Sequence, residues 1–204
     1  STIIRKYFHV VVVAVFIPGL VVDVEFLYLS SVIALAFFII LEVSSLVSLL
    51  CLGCVIDQSF SMFIDDRDQG VVILTHLYLL IGLSLPLWLT KSLYKGMKHF
   101  NFEMTTSISL YSGVLSLGIG DTVASIIGSS IGRIHWPGSK KTVEGTTSSI
   151  FSQCLTVYIL YSLGIIETVY WQKVIMAIIL TSLYEAFTFQ IDNLVLPVFI
   201  FLLL

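Results

Sequence analysis

The sequence predicts an all-α, polytopic integral membrane protein. Of its 204 residues, 57% are hydrophobic and only 11% are charged, and the mean hydropathy is +1.03. Soluble domains have about 45 to 50% apolar residues, so this composition excludes one. Long apolar runs also recur along the whole chain, with short polar stretches between them. Since about 20 apolar residues cross a bilayer as a helix, we expect about seven transmembrane helices.

The apolar runs define these predicted spans in order. The first covers residues 7–22, with Arg5, Lys6 and His9 as polar residues around its start, and its Pro18-Gly19 pair predicts a kink or an end. The remaining runs cover residues 26–52, 71–89, 106–131, 148–166, 171–189 and 194–204. Ser1 is not an initiator, and neither a charged n-region nor a small-residue cleavage site accompanies the first run. A secretory signal is therefore not supported, and the chain is expected to be a fragment.

An aspartate interrupts the fourth run within the stretch LGIGDTVASIIGSSIGRIHWPGSKKTVEGTT, residues 117–147. A charge at membrane depth costs several kcal/mol unless water, a metal or a partner relieves it, so Asp121 is a functional candidate. The small residues Ala124, Gly128 and Gly132 share one helical face beyond it. That spacing lets a second helix approach closely, although helix contact alone is enough to explain these three residues.

The polar connection after this helix carries the donors that a polyphosphate needs. Gly138, Ser139, Lys140, Lys141 and Thr142 offer backbone amides, hydroxyls and two cations. Glu144 adds a carboxylate, which suits a bridging cation such as magnesium. The loop is not a P-loop, because Ser139 and not Lys follows Gly138 and no βα unit holds it. A basic loop is equally typical of a cytoplasmic flank.

Other ionisable residues have open interpretations. The cluster Asp65, Asp66 and Asp68 either is a solvated loop or holds a cation, but it lacks the ligand spacing of an EF-hand. Glu42 either faces an aqueous cavity or bonds to a neighbouring helix. His76 is more typical of a hydrogen-bonded interior histidine than of an acid or base. Apolar filler accounts for Cys51, Cys54 and Cys154.

The predicted topology collects the motifs on one side. If the spans alternate, that side holds residues 1–6, 53–70, 132–147 and 190–193. It then carries six of the ten Lys and Arg residues, which weakly favours the cytoplasm by the positive-inside rule. The QIDNLVLP stretch, residues 190–197, adds Asp192 and Asn193, which form either a plain turn or a magnesium-binding pair. One composite site is therefore expected.

Two motifs resemble a known family. GDTVASIIGSSIG followed by WPGSKKTVEGT resembles the signature of dolichol kinases, which use CTP within a membrane. The shorter pattern of Asp121, Ala124, Gly128, Gly132 and SKKTVEG also resembles phosphatidate cytidylyltransferases. The DDRDQG and LTHLYLL segments within residues 65–80, together with QIDNLVLP, favour the kinases.

The resemblance implies that residues 1–204 form a single membrane-embedded catalytic domain, at the carboxyl-terminal end of a longer chain with more upstream helices. It implies transfer of the γ-phosphoryl group of CTP to dolichol, in the endoplasmic reticulum membrane, with the nucleotide site facing the cytoplasm. Asp121 is assigned as the base, with Asp121, Asp192 and Glu144 as ligands of Mg²⁺ or another divalent cation. The residues assigned to CTP are Arg133, Gly138, Ser139, Lys140, Lys141, Thr142, Glu144, Gly145 and Thr146.

Alternative functions stay open. Within the same class, the chain is a cytidylyltransferase or a CTP-dependent kinase of phytol or diacylglycerol. In a different class, Glu42, Asp121 and Glu185 would form the midplane ion site of a transporter. A subunit without chemistry would leave the concentration of charge on one side unexplained. The net charge of −3 does not favour nucleic acid as a partner, and no feature specifies an oligomeric state.

Overall fold

The computed structural model describes residues 2–47, 75–94, 107–167, 169–188 and 192–204. Across these residues the chain is helical apart from turns and one isolated β-bridge, which confirms the all-α prediction for this part. The α-helices are α1 (Thr2–Val22), α2 (Val24–Val47), α3 (Thr75–Tyr94), α4 (Thr122–Ile131), α5 (Val143–Ser162), α6 (Trp171–Phe187) and α7 (Asp192–Leu203). A 3-10 turn, Ile108–Tyr111, and a π-helical segment, Val114–Asp121, precede α4.

The helix boundaries differ from the apolar runs by a few residues. Helix α1 begins at Thr2 and continues past Pro18 to Val22, so the proline does not end it. Asp23 separates α1 from α2, and its Oδ1 accepts the backbone N–H of Phe26 at 2.9 Å. That bond satisfies a donor of the first turn of α2, which explains the short connection.

Two helical stretches have the length and composition of a membrane-crossing helix. They are Val24–Ser44, with 21 residues and a hydropathy of 2.4, and Val114–Ile131, with 18 residues and a hydropathy of 1.5. Shorter apolar helices cover Val11–Val22, Leu77–Ser92 and Asn193–Leu203. Helix α2 exposes large apolar side chains, including Phe26, Ile33, Phe37 and Ile40, as a lipid-facing helix does. The total of about seven crossings stays a prediction.

The π-helical segment lies at the centre of the described helices. It contacts α1, α3, α5, α6 and α7, and its Leu115 and Leu117 are fully buried. A π-helical turn inside a longer helix often marks a functional site, because its wider turns redirect the residues that follow. Here the segment carries the predicted GIGD break and ends at Asp121.

Two glycines bring α3 against its neighbours. A Cβ atom at Gly82 would lie 1.9 Å from the carbonyl oxygen of Asn193, in the first turn of α7. A Cβ atom at Gly113 would lie 2.9 Å from the carbonyl oxygen of Gly82. Both distances are far below van der Waals contact, so backbone packs directly on backbone at these points.

Contacts near the helix ends agree with the predicted alternation of the helices. Lys141, in the loop before α5, contacts Glu185 near the end of α6. At the other end of α6, Lys173 donates to the carbonyl oxygen of Leu204. Lys91 near the end of α3 forms an ion pair with Glu25 at the start of α2. The loop of residues 132–142 therefore lies at the end opposite to Lys173 and Leu204.

Candidate functional site

Asp121 is buried at the junction between the π-helical segment and α4. Its Oδ2 lies 3.8 Å from Nε2 of His9, which is also buried and belongs to α1. His9 was not predicted as a site residue, because it was grouped with Arg5 and Lys6 as a polar flank of the first apolar run. Helix α1 begins at Thr2, so His9 lies well inside it and faces the interior.

Close contact between α4 and α5 joins the lysine loop to the helix that begins after Asp121. A Cβ atom at Gly145 would lie 2.7 Å from the carbonyl oxygen of Ala124 and 3.3 Å from Cα of Gly128. The predicted small-residue face is thus confirmed as a helix contact. Gly128 is seven residues beyond Asp121, which is about 10 Å along a helix axis. The first turn of α5 therefore lies about two helical turns from Asp121, and the loop of residues 132–142 lies beyond it.

The connection between α4 and α5 is a closed hairpin and not an open loop. The Trp136 carbonyl oxygen accepts the Ser139 N–H at 3.0 Å, and Gly138 has a φ of 75°. This is a type II turn with Pro137 and Gly138 at its two central positions. The Trp136 N–H donates to the Lys141 carbonyl oxygen at 3.0 Å. We call residues 132–142 the lysine hairpin.

The threonines assigned to CTP also stabilise this region. The Oγ1 of Thr142 accepts the Gly145 N–H at 3.3 Å, which caps the start of α5. The Thr146 hydroxyl donates to the Thr142 carbonyl oxygen at 3.2 Å. It also accepts the indole N–H of Trp136 at 3.1 Å. Both threonines are buried, so their first role is to fix the hairpin on α5.

Glu144 braces the lysine hairpin from the first turn of α5. Its Oε1 accepts the backbone N–H groups of Arg133 at 3.0 Å and Ile134 at 3.2 Å. Hydrogen bonds from the backbone N–H groups of Glu144 itself and of Arg133 lower the pKa of the Glu144 carboxyl. The assigned contact of Glu144 with a metal or with the lysines stays a prediction.

We expect Glu144→Gln to loosen the hairpin, because an amide accepts the two N–H groups less strongly than a carboxylate. Hydrogen exchange at Arg133 and Ile134 should accelerate at pH 7, and Glu167→Gln, an exposed carboxylate between α5 and α6, is the matched control. In the unchanged protein the folded pKa lies below the ordinary 4.5. The stabilisation of the hairpin by Glu144 is therefore present above pH 4.5, and it is lost as the pH falls through the lower pKa of the folded state. Equal protection from hydrogen exchange in Glu144→Gln and in the unchanged protein would show that Glu144 does not stabilise the hairpin.

The two adjacent lysines differ in their surroundings. The Nζ of Lys141 lies 3.3 Å from Oε1 of Glu185, whose side chain is only 8% exposed. Lys140 is exposed, and no carboxylate in the described part of the chain lies within ion-pair distance of it. Arg133 and Ser139 lie on the same hairpin, with Arg133 exposed and Ser139 partly buried. The hairpin therefore presents one lysine outward and turns the other towards α6.

A buried polar network connects the helices behind the hairpin. The side-chain N–H groups of Gln153 donate to Oγ of Ser149 at 3.0 Å and to Oγ of Ser182 at 3.2 Å. Gly120 leaves room for this amide, because a Cβ atom there would lie 2.6 Å from Nε2 of Gln153. The sequence analysis missed Gln153. The available signal was an amide within an apolar helix, since such a group needs partners when it is buried.

Several assignments lie outside the described residues. These are the Asp65, Asp66 and Asp68 cluster and the side chains of His76 and Asp192. The backbone of Asp192 begins α7, and Glu42 is partly buried on α2. Among the described residues, no group of three or more His, Cys, Asp or Glu side chains is gathered to hold a metal. A magnesium site stays a prediction on Asp121 and Asp192.

These features define a class of protein. In the part of the chain that the structure describes, it is a helical, membrane-associated protein in which a buried aspartate precedes a helix, α4, that leads into a braced, two-lysine hairpin. Such an arrangement offers two cations to a phosphate group at the end of an apolar bundle.

Comparison with known proteins assigns the family. A family model for dolichol kinase matches residues 1–87. A mouse dolichol kinase is 44% identical over 205 residues, which cover 100% of this chain and 38% of the mouse protein. The Arabidopsis thaliana dolichol kinase EVAN is 36% identical, over 99% of this chain and 35% of its own. A Saccharomyces cerevisiae dolichol kinase is 31% identical, over 96% and 35%. No solved structure matches.

The chain therefore belongs to the dolichol kinase family. It spans 35 to 38% of the length of these relatives. The resemblance carried by the GDTVASIIGSSIG and WPGSKKTVEGT motifs is confirmed.

Proposed function

We propose that this chain carries the site at which a lipid kinase transfers the γ-phosphoryl group of CTP to the hydroxyl of dolichol. The product, dolichyl phosphate, is the lipid carrier for protein glycosylation. The enzyme works in the endoplasmic reticulum membrane, with its nucleotide site facing the cytoplasm. One observation supports this most directly: buried Asp121 and the lysine hairpin lie at the two ends of helix α4, which packs closely on α5, in a chain whose relatives are named dolichol kinases.

The arrangement suits phosphoryl transfer at an interface. That reaction needs charge neutralisation and in-line positioning more than covalent chemistry. Lys140 and Lys141 supply the positive charges that bind the phosphates. Dolichol stays in lipid along the apolar helices, so that only its hydroxyl enters the polar end. The braced hairpin holds its donors in place before the nucleotide arrives, which lowers the ordering cost of binding.

The carboxylates have two roles in this proposal. Asp121 accepts the proton of the dolichol hydroxyl, and neighbouring His9 keeps its carboxylate oriented. Asp121 and Asp192 are also oxygen donors of the kind that Mg²⁺ prefers, and one or two carboxylates suffice because phosphate oxygens and water complete its shell. When bound, the ion would neutralise phosphate charge.

The test is incubation of the full-length membrane protein with γ-labelled CTP and a panel of lipid alcohols. Labelled polyprenyl phosphate is expected, with dolichol preferred over phytol and diacylglycerol. A CMP-lipid with released pyrophosphate would instead show the cytidylyltransferase reaction and overturn the proposal. Absence of any labelled lipid from an enzyme that still binds CTP would overturn it too.

The proposed orientation predicts a pattern of cysteine labelling. Single cysteines placed within residues 57–69, within residues 134–143 or at Asn193 should react with an impermeant reagent from the cytoplasmic side. Cysteines at Lys95 or Thr168 should react only from the lumenal side, because the helices alternate in direction. Labelling of the first two regions from opposite sides would rule out a composite site. The background replaces the native Cys51, Cys54 and Cys154 with Ser, so that the introduced cysteine is the labelling site in this chain.

A further inference from the structure

Glu185 is a buried carboxylate that no step above uses. It lies on α6 near its end, and its side chain is 8% exposed. Removing a carboxylate from water is costly unless a cation and hydrogen bonds offset that cost. The cation here is the ammonium of Lys141, at 3.3 Å. The contact joins residues that are 44 positions apart in sequence, so the tertiary fold creates it.

A second contact docks the same hairpin on α6. The rings of Trp136 and Phe187 meet edge to face, with centroids 5.2 Å apart. Phe187 is two residues beyond Glu185, and Trp136 is five residues before Lys141 on the hairpin. The hydrogen bond between Gln153 on α5 and Ser182 on α6 joins the two helices about one turn before Glu185. This bond fixes the position of Glu185 relative to α5, while its carboxylate contacts Lys141.

We propose that Glu185 is a positioning residue that holds the Lys141 ammonium at the interior side of the hairpin and competes with phosphate oxygens for it. The adjacent lysines then have different roles. Exposed Lys140 makes the first contact with the polyphosphate, and Lys141 is presented by Glu185 to the phosphate that is being transferred. The proposal rests on the proposed function, because it takes the ligand of the hairpin to be the triphosphate of CTP.

The experiment compares phosphate binding with turnover in the full-length protein in lipid nanodiscs. The probes are CTP and inorganic tripolyphosphate, and the variant is Glu185→Gln, which keeps the shape and removes the charge. We expect the Kd for tripolyphosphate to fall by roughly threefold or more, because the carboxylate no longer competes for the ammonium. We expect kcat to fall by roughly tenfold or more, because the ammonium is no longer held during transfer. A misfolded fraction would lower kcat but would not lower the Kd for tripolyphosphate.

Two further variants serve as a matched control and as a test of whether the effect of Glu185 depends on Lys141. Glu25→Gln removes a carboxylate from the ion pair with Lys91 at the far end of the molecule, and it should change neither quantity. In a Lys141→Gln background, Glu185→Gln should no longer alter the Kd, because its effect passes through Lys141. The proposal is overturned if Glu185→Gln leaves the Kd for tripolyphosphate unchanged or raises it. It is also overturned if Glu185→Gln shifts that Kd equally in the unchanged protein and in the Lys141→Gln background.

A second variant covers the case in which Glu185→Gln does not fold. Glu185→Asp keeps the charge and withdraws it from Lys141 by one methylene group. It should tighten tripolyphosphate binding in the same direction and lower kcat, and unchanged values overturn the proposal. Failure of the proposed function is distinguishable, because an enzyme that phosphorylates no lipid alcohol still reports on Glu185 through tripolyphosphate binding.

Discussion

Replacing Lys140 and Lys141 together with Ala is expected to weaken the affinity for CTP by at least roughly tenfold. The change removes two charge-assisted contacts with the phosphates, and each is worth about 1.5 to 3 kcal/mol. The loss should be similar for CTP and CDP and absent for cytidine, since the hairpin binds phosphate and not the base. Titration of the purified protein in nanodiscs with each nucleotide measures this directly.

The control for this double variant is Lys91→Ala, which removes a lysine from the opposite end of the molecule. It should leave nucleotide affinity unchanged. The single variants should differ from each other, because Lys140 is exposed while Lys141 contacts Glu185. Retained affinity in the double variant would reject the hairpin as the phosphate site. The identity of the family would not change, but the nucleotide would have to bind elsewhere.

Asp121→Asn is expected to abolish turnover while CTP binding persists. The amide cannot accept the hydroxyl proton, and general-base help contributes about 10² to 10⁴ in rate. Asp192→Asn should instead lower activity and raise the magnesium concentration required, because an amide still ligates but no longer neutralises the ion. Excess magnesium should therefore partly rescue Asp192→Asn and leave Asp121→Asn inactive.

The measurement is kcat as a function of magnesium concentration, with CTP binding followed in parallel. Equal rescue of both variants would make Asp121 a metal ligand only and move the base to another residue. Asn193→Asp is a useful companion, because it adds a carboxylate beside Asp192 in the first turn of α7 and should lower the magnesium requirement if that turn holds the ion.

Local sequence patterns predicted most of the fold. Apolar runs located the helices, because a helix in a membrane is defined by its own composition. The small residues of α4 predicted close contact with a second helix, and the contact of Gly145 with Gly128 identifies that helix as α5. The break at GIGD was visible, but its π-helical form was not. The contacts of this segment were not visible either: a Cβ atom at Gly118 would lie 2.2 Å from the side chain of Val13, which is distant in sequence.

The candidate site was predicted only in part, because its remaining contacts join distant segments. His9 meets Asp121 across 112 positions of sequence, and Lys141 meets Glu185 across 44. No periodicity or motif reports such a pair. Glu144 shows a different difficulty: its position near two lysines indicated contact with a metal or with those lysines, whereas its carboxylate also accepts the backbone N–H groups of Arg133 and Ile134 across the hairpin.

The contact of Gly82 with Asn193 bears on how missense variants in this family are interpreted. Gly82 carries no functional group and lies on a helix without an assigned site residue. Even an alanine there would bring its methyl carbon to 1.9 Å from the Asn193 carbonyl oxygen, so the first turn of α7 would have to move. That turn bears Asp192. A conservative-looking Gly82→Ala change would therefore displace the turn that is proposed to hold magnesium, whereas scoring variants by distance in sequence from the charged motifs would classify it as benign.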